Sequence, residues 1–198
     1  MPRKALRILG GTARGRPLTV GQSRARPPLA LAREALFNIL ADRLPHARVL
    51  DLYAGSGTLG LEALSRGAAW CVFVERDPAA IEALVANLDR CGFTRRAEVH
   101  TAAAEDAFAG LAGPFDLVFV DPPYATARAW AKGQGGEAVR TETAKRVAAG
   151  GRLVLRLEKD DPPPPDWAGL QRTEARVYGR SCVVFYARAG SDRRESRE

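Results

Sequence analysis

A chain of 198 residues, 46% hydrophobic and 27% charged, can build one sizeable core with at most a small appendage, and no apolar run in it approaches the length of a membrane span. Three cysteines, Cys71, Cys91 and Cys182, and two histidines, His46 and His100, lack metal-ligand spacing, so reduced cysteines in or near a core and no metal are expected. The net charge of +7 is unevenly held: residues 1–33 carry Arg3, Lys4, Arg7, Arg14, Arg16, Arg24, Arg26 and Arg33 and no Asp or Glu, which leaves the remainder close to neutral and marks a polyanion-binding arm.

The first segments, LRILG (6–10) and RPLTV (16–20), flank GTARG and read as a short β-hairpin; GQSRARPP (21–28) reads as a linker. Nothing in this basic start resembles a signal peptide, so a cytoplasmic protein is expected. Residues 29–44 carry Leu36, Ile39, Leu40 and Leu44 at helical spacing, and Pro45 closes that helix. Strands and helices then alternate. Strands are expected at 48–54, 70–75, 97–102, 115–123 and 151–158, with helices at 57–67, 78–92, around 104–111 and around 137–148. Pro78 suits a first helical turn and Gly92 a C-cap. After the PPPP run at 162–165, residues 170–179 and 181–188 read as an antiparallel pair, and 189–198 as a polar tail. Seven strands in this order predict a Rossmann-like α/β fold, a mostly parallel sheet with an antiparallel C-terminal strand and a small N-terminal hairpin. A ligand then belongs at the carboxyl ends of the central strands.

Two motifs fall at such ends. The first is DLYAGSGTLG, Asp51 to Gly60, after the first strand. Its glycines 55, 57 and 60 match a dinucleotide fingerprint, so a nucleotide-dependent oxidoreductase is one reading. Asp51 at the strand end argues otherwise, because a carboxylate suits an ammonium group and repels pyrophosphate. S-adenosylmethionine carries the first and lacks the second. Glu75, ending the second strand, can accept both ribose hydroxyls of either ligand.

The second motif is DPPY, Asp121 to Tyr124, after the apolar run FDLVFV. An exocyclic base amine is a poor nucleophile because its lone pair is delocalised into the ring. Two fixed acceptors, the Asp121 carboxylate and the Pro122 carbonyl, can draw its hydrogens aside and free that pair, while Tyr124 offers a face for stacking. Positioning and charge stabilisation would carry the reaction, with no covalent intermediate on the protein. The oxidoreductase reading has no use for this loop.

With these residues in view, the chain resembles the bacterial small-subunit ribosomal RNA guanine-N2 methyltransferases, the RsmD-like group. The resemblance lies in RILGGTARGRPL (7–18), REALFNIL (33–40), LDLYAGSGTLGLEALSRGA (50–68), VFVERD (72–77), VFVDPPY (118–124) and YGRSCVVFY (178–186). It implies a class I methyltransferase with an arm at 1–28, a catalytic domain at 29–188 and a tail at 189–198. It implies S-adenosylmethionine contacts at Asp51, Tyr53, Gly55, Ser56, Gly57, Glu75 and Arg76, and catalysis around Asp121, Pro122, Pro123 and Tyr124. It also implies RNA contacts from Arg7, Arg14, Arg16, Arg26 and Arg33, with 16S rRNA of the small ribosomal subunit as substrate; a monomer is expected. Three stretches depart from the family pattern. RPPLALARE (26–34) lacks polar residues usual there. Ala103 stands where an adenine-contacting Asp or Asn is common, with Glu105 or Asp106 as substitutes. ATARAWAKGQGG (125–136) is unlike the usual helix and reads as a mobile lid. Rival readings are a DNA or other RNA amino-methyltransferase acting on adenine N6 or cytosine N4, and a non-catalytic RNA-binding factor on the same fold. The first lacks an added target-recognition domain, and the intact loops speak against the second.

Overall fold

The computed structural model of the protein, which describes residues 6–20 and 30–188, sets the continuous apolar runs at the centre of a single sheet. In chain order the elements are α1 (Ala30–Ile39), β1 (Arg48–Leu52), α2 (Thr58–Ser65), β2 (Trp70–Glu75), α3 (Pro78–Cys91), β3 (Ala97–Thr101), α4 (Ala104–Ala107), β4 (Phe115–Val120), α5 (Tyr124–Ala131), α6 (Glu137–Arg146), β5 (Val147–Glu158), β6 (Asp166–Trp167), β7 (Leu170–Tyr178) and β8 (Ser181–Ala187). The strand order is β3-β2-β1-β4-β5-β8-β7-β6. The first five strands in that order are parallel and the remaining pairings antiparallel. The order reverses between β1 and β4, and the crevice above their carboxyl ends is where a doubly wound sheet receives ligands.

Both faces of the central strands are buried, which is why they read as unbroken apolar runs. One face packs Leu50, Leu52, Val118 and Val120 under α4, α5 and α6; the other packs Val49, Phe73, Leu117 and Phe119 under α1, α2 and α3. Ile8, Ala13 and Leu18 of the basic arm belong to this second core. All three cysteines are free and buried.

Three expectations need correction. The sheet has eight strands, not seven. The added strand, β6, follows the proline run, which is held by the Tyr186 hydroxyl donating to the Pro164 carbonyl at 2.8 Å. Trp167 is fully buried, and Ala168 and Gly169, both at positive φ, turn the chain back so that Trp167 pairs with Leu170. The first helix stops at Ile39 and continues as a 3-10 turn at Ala41–Arg43, closed by Arg43 N donating to the Leu40 carbonyl. Residues 124–131 form a helix, not a lid: Trp130 is buried against Tyr53 and Trp167. The arm folds back as the expected hairpin: Arg7 lies opposite Pro17 in an antiparallel bridge, flanked by Ile8 N donating to the Arg16 carbonyl and Leu18 N donating to the Leu6 carbonyl. The expected linker at 21–28, with Arg26, and the tail at 189–198 lie outside the described residues. Among the described residues no helix is long and apolar enough to cross a membrane, and no cluster of ligating side chains could hold a metal ion.

Candidate functional site

The loop after β1 is held from below. Gly57 lies at φ +81, and a Cβ there would come within 2.3 Å of Leu84; one on Gly60 would come within 2.3 Å of the Phe73 ring. The glycines thus serve the left-handed turn and the close seating of α2 on β2. Asp51, at 1% exposure, accepts the Gly60 amide at 2.8 Å. Burial pushes its carboxyl well above the usual carboxylate range; the Gly60 amide opposes this, and the Asp121 and Glu75 charges add to it. Glu75 ties two loops together, one oxygen accepting the Gly55 amide at 2.7 Å and the other the amides of Arg76 and Asp77. Asn87, fully buried on α3, donates to the carbonyls of Ser56 and Thr19 and so joins the glycine loop to the arm.

Above this loop opens a cleft of about 340 Å³, a volume suited to a nucleoside-sized ligand. Tyr53, Gly55, Glu75, Arg76, Glu105 and Pro123 stand on its wall. Asp51, Ser56 and Gly57 lie behind that wall and shape it. Tyr53, at φ +66, carries a buried hydroxyl without a hydrogen-bond partner. Burial, with the Glu105 charge beside it and Arg76 opposing, raises that hydroxyl above the usual tyrosine range. An orphaned donor on a cleft wall fits a polar ligand. Ala103 caps α4 without a side-chain bond, and of the two acidic substitutes Glu105 reaches the cleft.

At the end of β4, the Asp121 amide donates to the Leu52 carbonyl, which anchors the proline loop beside β1. The Pro123 carbonyl accepts from Ala127 within α5. Tyr124 opens α5. Asp121 also stands on the rim of a second, apolar hollow under α1, with Ala32, Leu36, Leu59, Val120, Val154 and Val183. The sequence reading missed one member of this group. Arg156 of β5 donates from Nε to Asp121 Oδ1 at 2.5 Å, and its guanidinium lies 5.8 Å from the Tyr124 ring centroid. The only signal for it was a charge interrupting the apolar run LVLRLE.

The arginines of the arm separate. Arg14 and Arg16 are exposed, Arg16 donating to the Arg90 carbonyl. Arg7 is exposed and donates to the Gly15 carbonyl at 2.8 Å. Arg33 does not face solvent: at 1% exposure it donates to the Arg7 carbonyl and lies 3.9 Å from Glu62. Burial holds its guanidinium below the ordinary arginine range, with Glu62 opposing and Arg66 adding. Its expected RNA contact is therefore replaced by a structural one. Glu62, fully buried, accepts the amides of Leu9 and Gly10 at 2.8 Å each and the Arg66 Nε. Ser65 receives the Ala13 amide at its hydroxyl and the Thr12 amide at its carbonyl.

The chain matches the family model described as "Conserved hypothetical protein 95" over residues 6–187. It is 33% identical over 191 residues, covering 93% of this chain and all of its counterpart, to the Bacillus subtilis (strain 168) protein named "Putative rRNA methyltransferase YlbH". It is 44% identical to the "Ribosomal RNA small subunit methyltransferase D" of Escherichia coli (strain K12) over a stretch of 120 residues that spans 60% of each chain. The solved structure of "Putative methyltransferase yhhF from Escherichia coli" superposes with a TM-score of 0.78 at 33% identity, over 93% of this chain and 98% of that one.

Proposed function

Since the chain belongs to the "Conserved hypothetical protein 95" family and is an RsmD-like methyltransferase, we propose that it moves the methyl group of S-adenosylmethionine to the exocyclic N2 of a guanine in 16S rRNA of the small ribosomal subunit. The observation that carries this reading is the position of Asp121. It stands just past the carboxyl end of β4 on the rim of the apolar hollow under α1, while Pro123 of the same loop lines the nucleoside-sized cleft beside β1 and β2.

Tyr53, Glu75, Arg76 and Glu105 would hold the donor, whose sulfonium supplies an electrophilic methyl group and whose charges are cationic at sulfur and at the amino group. Asp51, Glu75 and Asp121 interact electrostatically at the ends of three neighbouring strands, and such a cluster favours a cationic ligand over a diphosphate. Asp121 and the Pro122 carbonyl accept the two amine hydrogens and draw the nitrogen out of conjugation with its ring. The nitrogen then takes the methyl carbon with its freed lone pair, and the bonding pair of the broken C–S bond stays on sulfur. The surplus proton leaves the nitrogen for Asp121 or water. The choice of guanine N2 follows from the resemblance to the RsmD-like group. The names of the relatives supply the ribosomal RNA.

The test is methyl transfer to small ribosomal subunits followed by nucleoside mass spectrometry. Wild type should yield N2-methylguanosine. Asp121→Ala should lower the rate by about a hundredfold or more while donor binding persists. A full rate in the variant would remove Asp121 from the chemistry, and N6-methyladenosine as product would remove guanine.

A further inference from the structure

We propose that Arg156 is a positioning residue that acts through Asp121, clamping one carboxylate oxygen so that the other is presented to the substrate amine; the proposal rests on the role given to Asp121 above. The stretch of β5 around Arg156 is apolar, with Leu153, Val154, Leu155 and Leu157 all buried. In the parallel pairing of β4 with β5, Leu155 lies opposite Val120, so Arg156 comes one step further on, level with Asp121. Across the other edge it pairs with Val183 of β8. Strand alternation sends Val154 and Arg156 to the same face, and both line the hollow under α1 together with Val183 and Asp121.

A guanidinium at this depth is costly, and an aliphatic residue would continue the core at no such cost. The ion pair is nevertheless nearly closed from water, with side-chain exposures of 12% for Arg156 and 14% for Asp121. Burial works against the charge of Arg156, yet Asp121, by charge and by hydrogen bond, with Tyr124 adding, holds it above the ordinary arginine range. Arg156 is thus fixed as a cation at the hollow where an amine must meet Asp121. Its Nε contact engages Oδ1, and under this proposal Oδ2 takes the substrate hydrogen. A carboxylate held in this way cannot rotate about its terminal bond without breaking the contact. The same guanidinium lies 5.8 Å from the Tyr124 ring centroid.

The experiment is a mutant cycle on methyl transfer, with donor affinity measured separately by calorimetry using S-adenosylmethionine. R156Q should lower kcat by about 10- to 100-fold and leave donor Kd and donor KM within about twofold. R156K, which retains the charge without the fork, should fall between. In a D121N background, R156Q should change the residual rate by less than about twofold, because a residue acting through another has nothing left to position. Wild-type kcat in R156Q, with D121N inactive, overturns the proposal and leaves the Asp121 reading intact. Equal losses in both backgrounds overturn it too, since Arg156 would then act independently. A D121N enzyme of full rate sinks the reading beneath both. Should R156Q fail to fold, the cycle run with R156K decides, and a wild-type kcat for R156K overturns the proposal.

Discussion

Asp51 is a carboxyl group taken out of water with one amide as its hydrogen-bond partner and two other carboxylates nearby. Its folded form therefore holds a proton more tightly than its unfolded form does. Between the usual carboxylate range and that raised value the folded state binds more protons, so stability falls as pH rises through the window. Asp51→Asn retains an oxygen for the Gly60 amide and removes the titration. It should raise Tm above the usual carboxylate range, by a margin that widens as pH rises; thermal melts of the two proteins against pH, if parallel, would show that Asp51 carries no such penalty. The residue was legible in sequence as a strand-end acid. Its setting beneath the loop was not, because that depends on where Gly60 brings its amide. Asp121, Pro122 and Tyr124 were legible because their chemistry is written in consecutive residues. Arg156 and Arg33 were not, for a common reason: each gains its meaning from a partner 35 or 29 positions away, and in sequence one is a charge in a strand and the other one more cation in a basic run.

At the scale of elements, α2 does two tasks with its two ends. Its amino end carries the glycine loop, and its carboxyl half holds the arm through Glu62 and Ser65. Gly11 permits this contact, since a Cβ there would lie 1.8 Å from the Ser65 carbonyl oxygen. Glu62→Ala would leave the buried Arg33 charge without its carboxylate and strand the amides of Leu9 and Gly10. Breaking a buried pair of this kind costs about 3–5 kcal/mol, so urea denaturation should show a loss of that order, with protease cleavage appearing within residues 6–20. A loss below about 1 kcal/mol would mean that the arm is seated by its apolar residues alone. The alternation of strands and helices was readable because the apolar runs are long and periodic. β6 was not readable: two residues give no period, and its existence depends on Trp167 finding Thr143, to which its indole N–H donates at 2.9 Å. The segment 125–136 was read as a lid because it departs from the family's usual helix, whereas alanine and arginine are good helix formers and Trp130 supplies the buried anchor.

Across the whole molecule, the two surfaces implicated in RNA binding stand at opposite edges of the sheet. α2 leaves the cofactor loop at Gly57 and runs back to Ser65, just before β2 begins, and the Thr12 amide meets the Ser65 carbonyl there. The turn bearing Arg14 thus lies near the starting edge of the strands, while Asp121 lies at their carboxyl edge. A helix of eight residues spans about 12 Å, so the end of α2 that holds the Arg14 turn is set apart from the end that carries the glycine loop. Under the proposed function these arginines hold a folded RNA at a distance and do not touch the reacting nucleotide. Arg14→Gln with Arg16→Gln should therefore weaken binding to ribosomal RNA and lower the slope of log K against log salt by up to about 0.7–0.9 per lost phosphate contact. The rate at saturating RNA should stay within about twofold, because Asp121 and Tyr124 are untouched. Filter binding at several salt concentrations reads the slope, and single-turnover methylation reads the rate. A slope that does not move would take the exposed arginines of the arm out of the RNA interface. A slope unchanged with a collapsed rate would instead place them in catalysis, through the Asn87 link that joins Thr19 to the glycine loop.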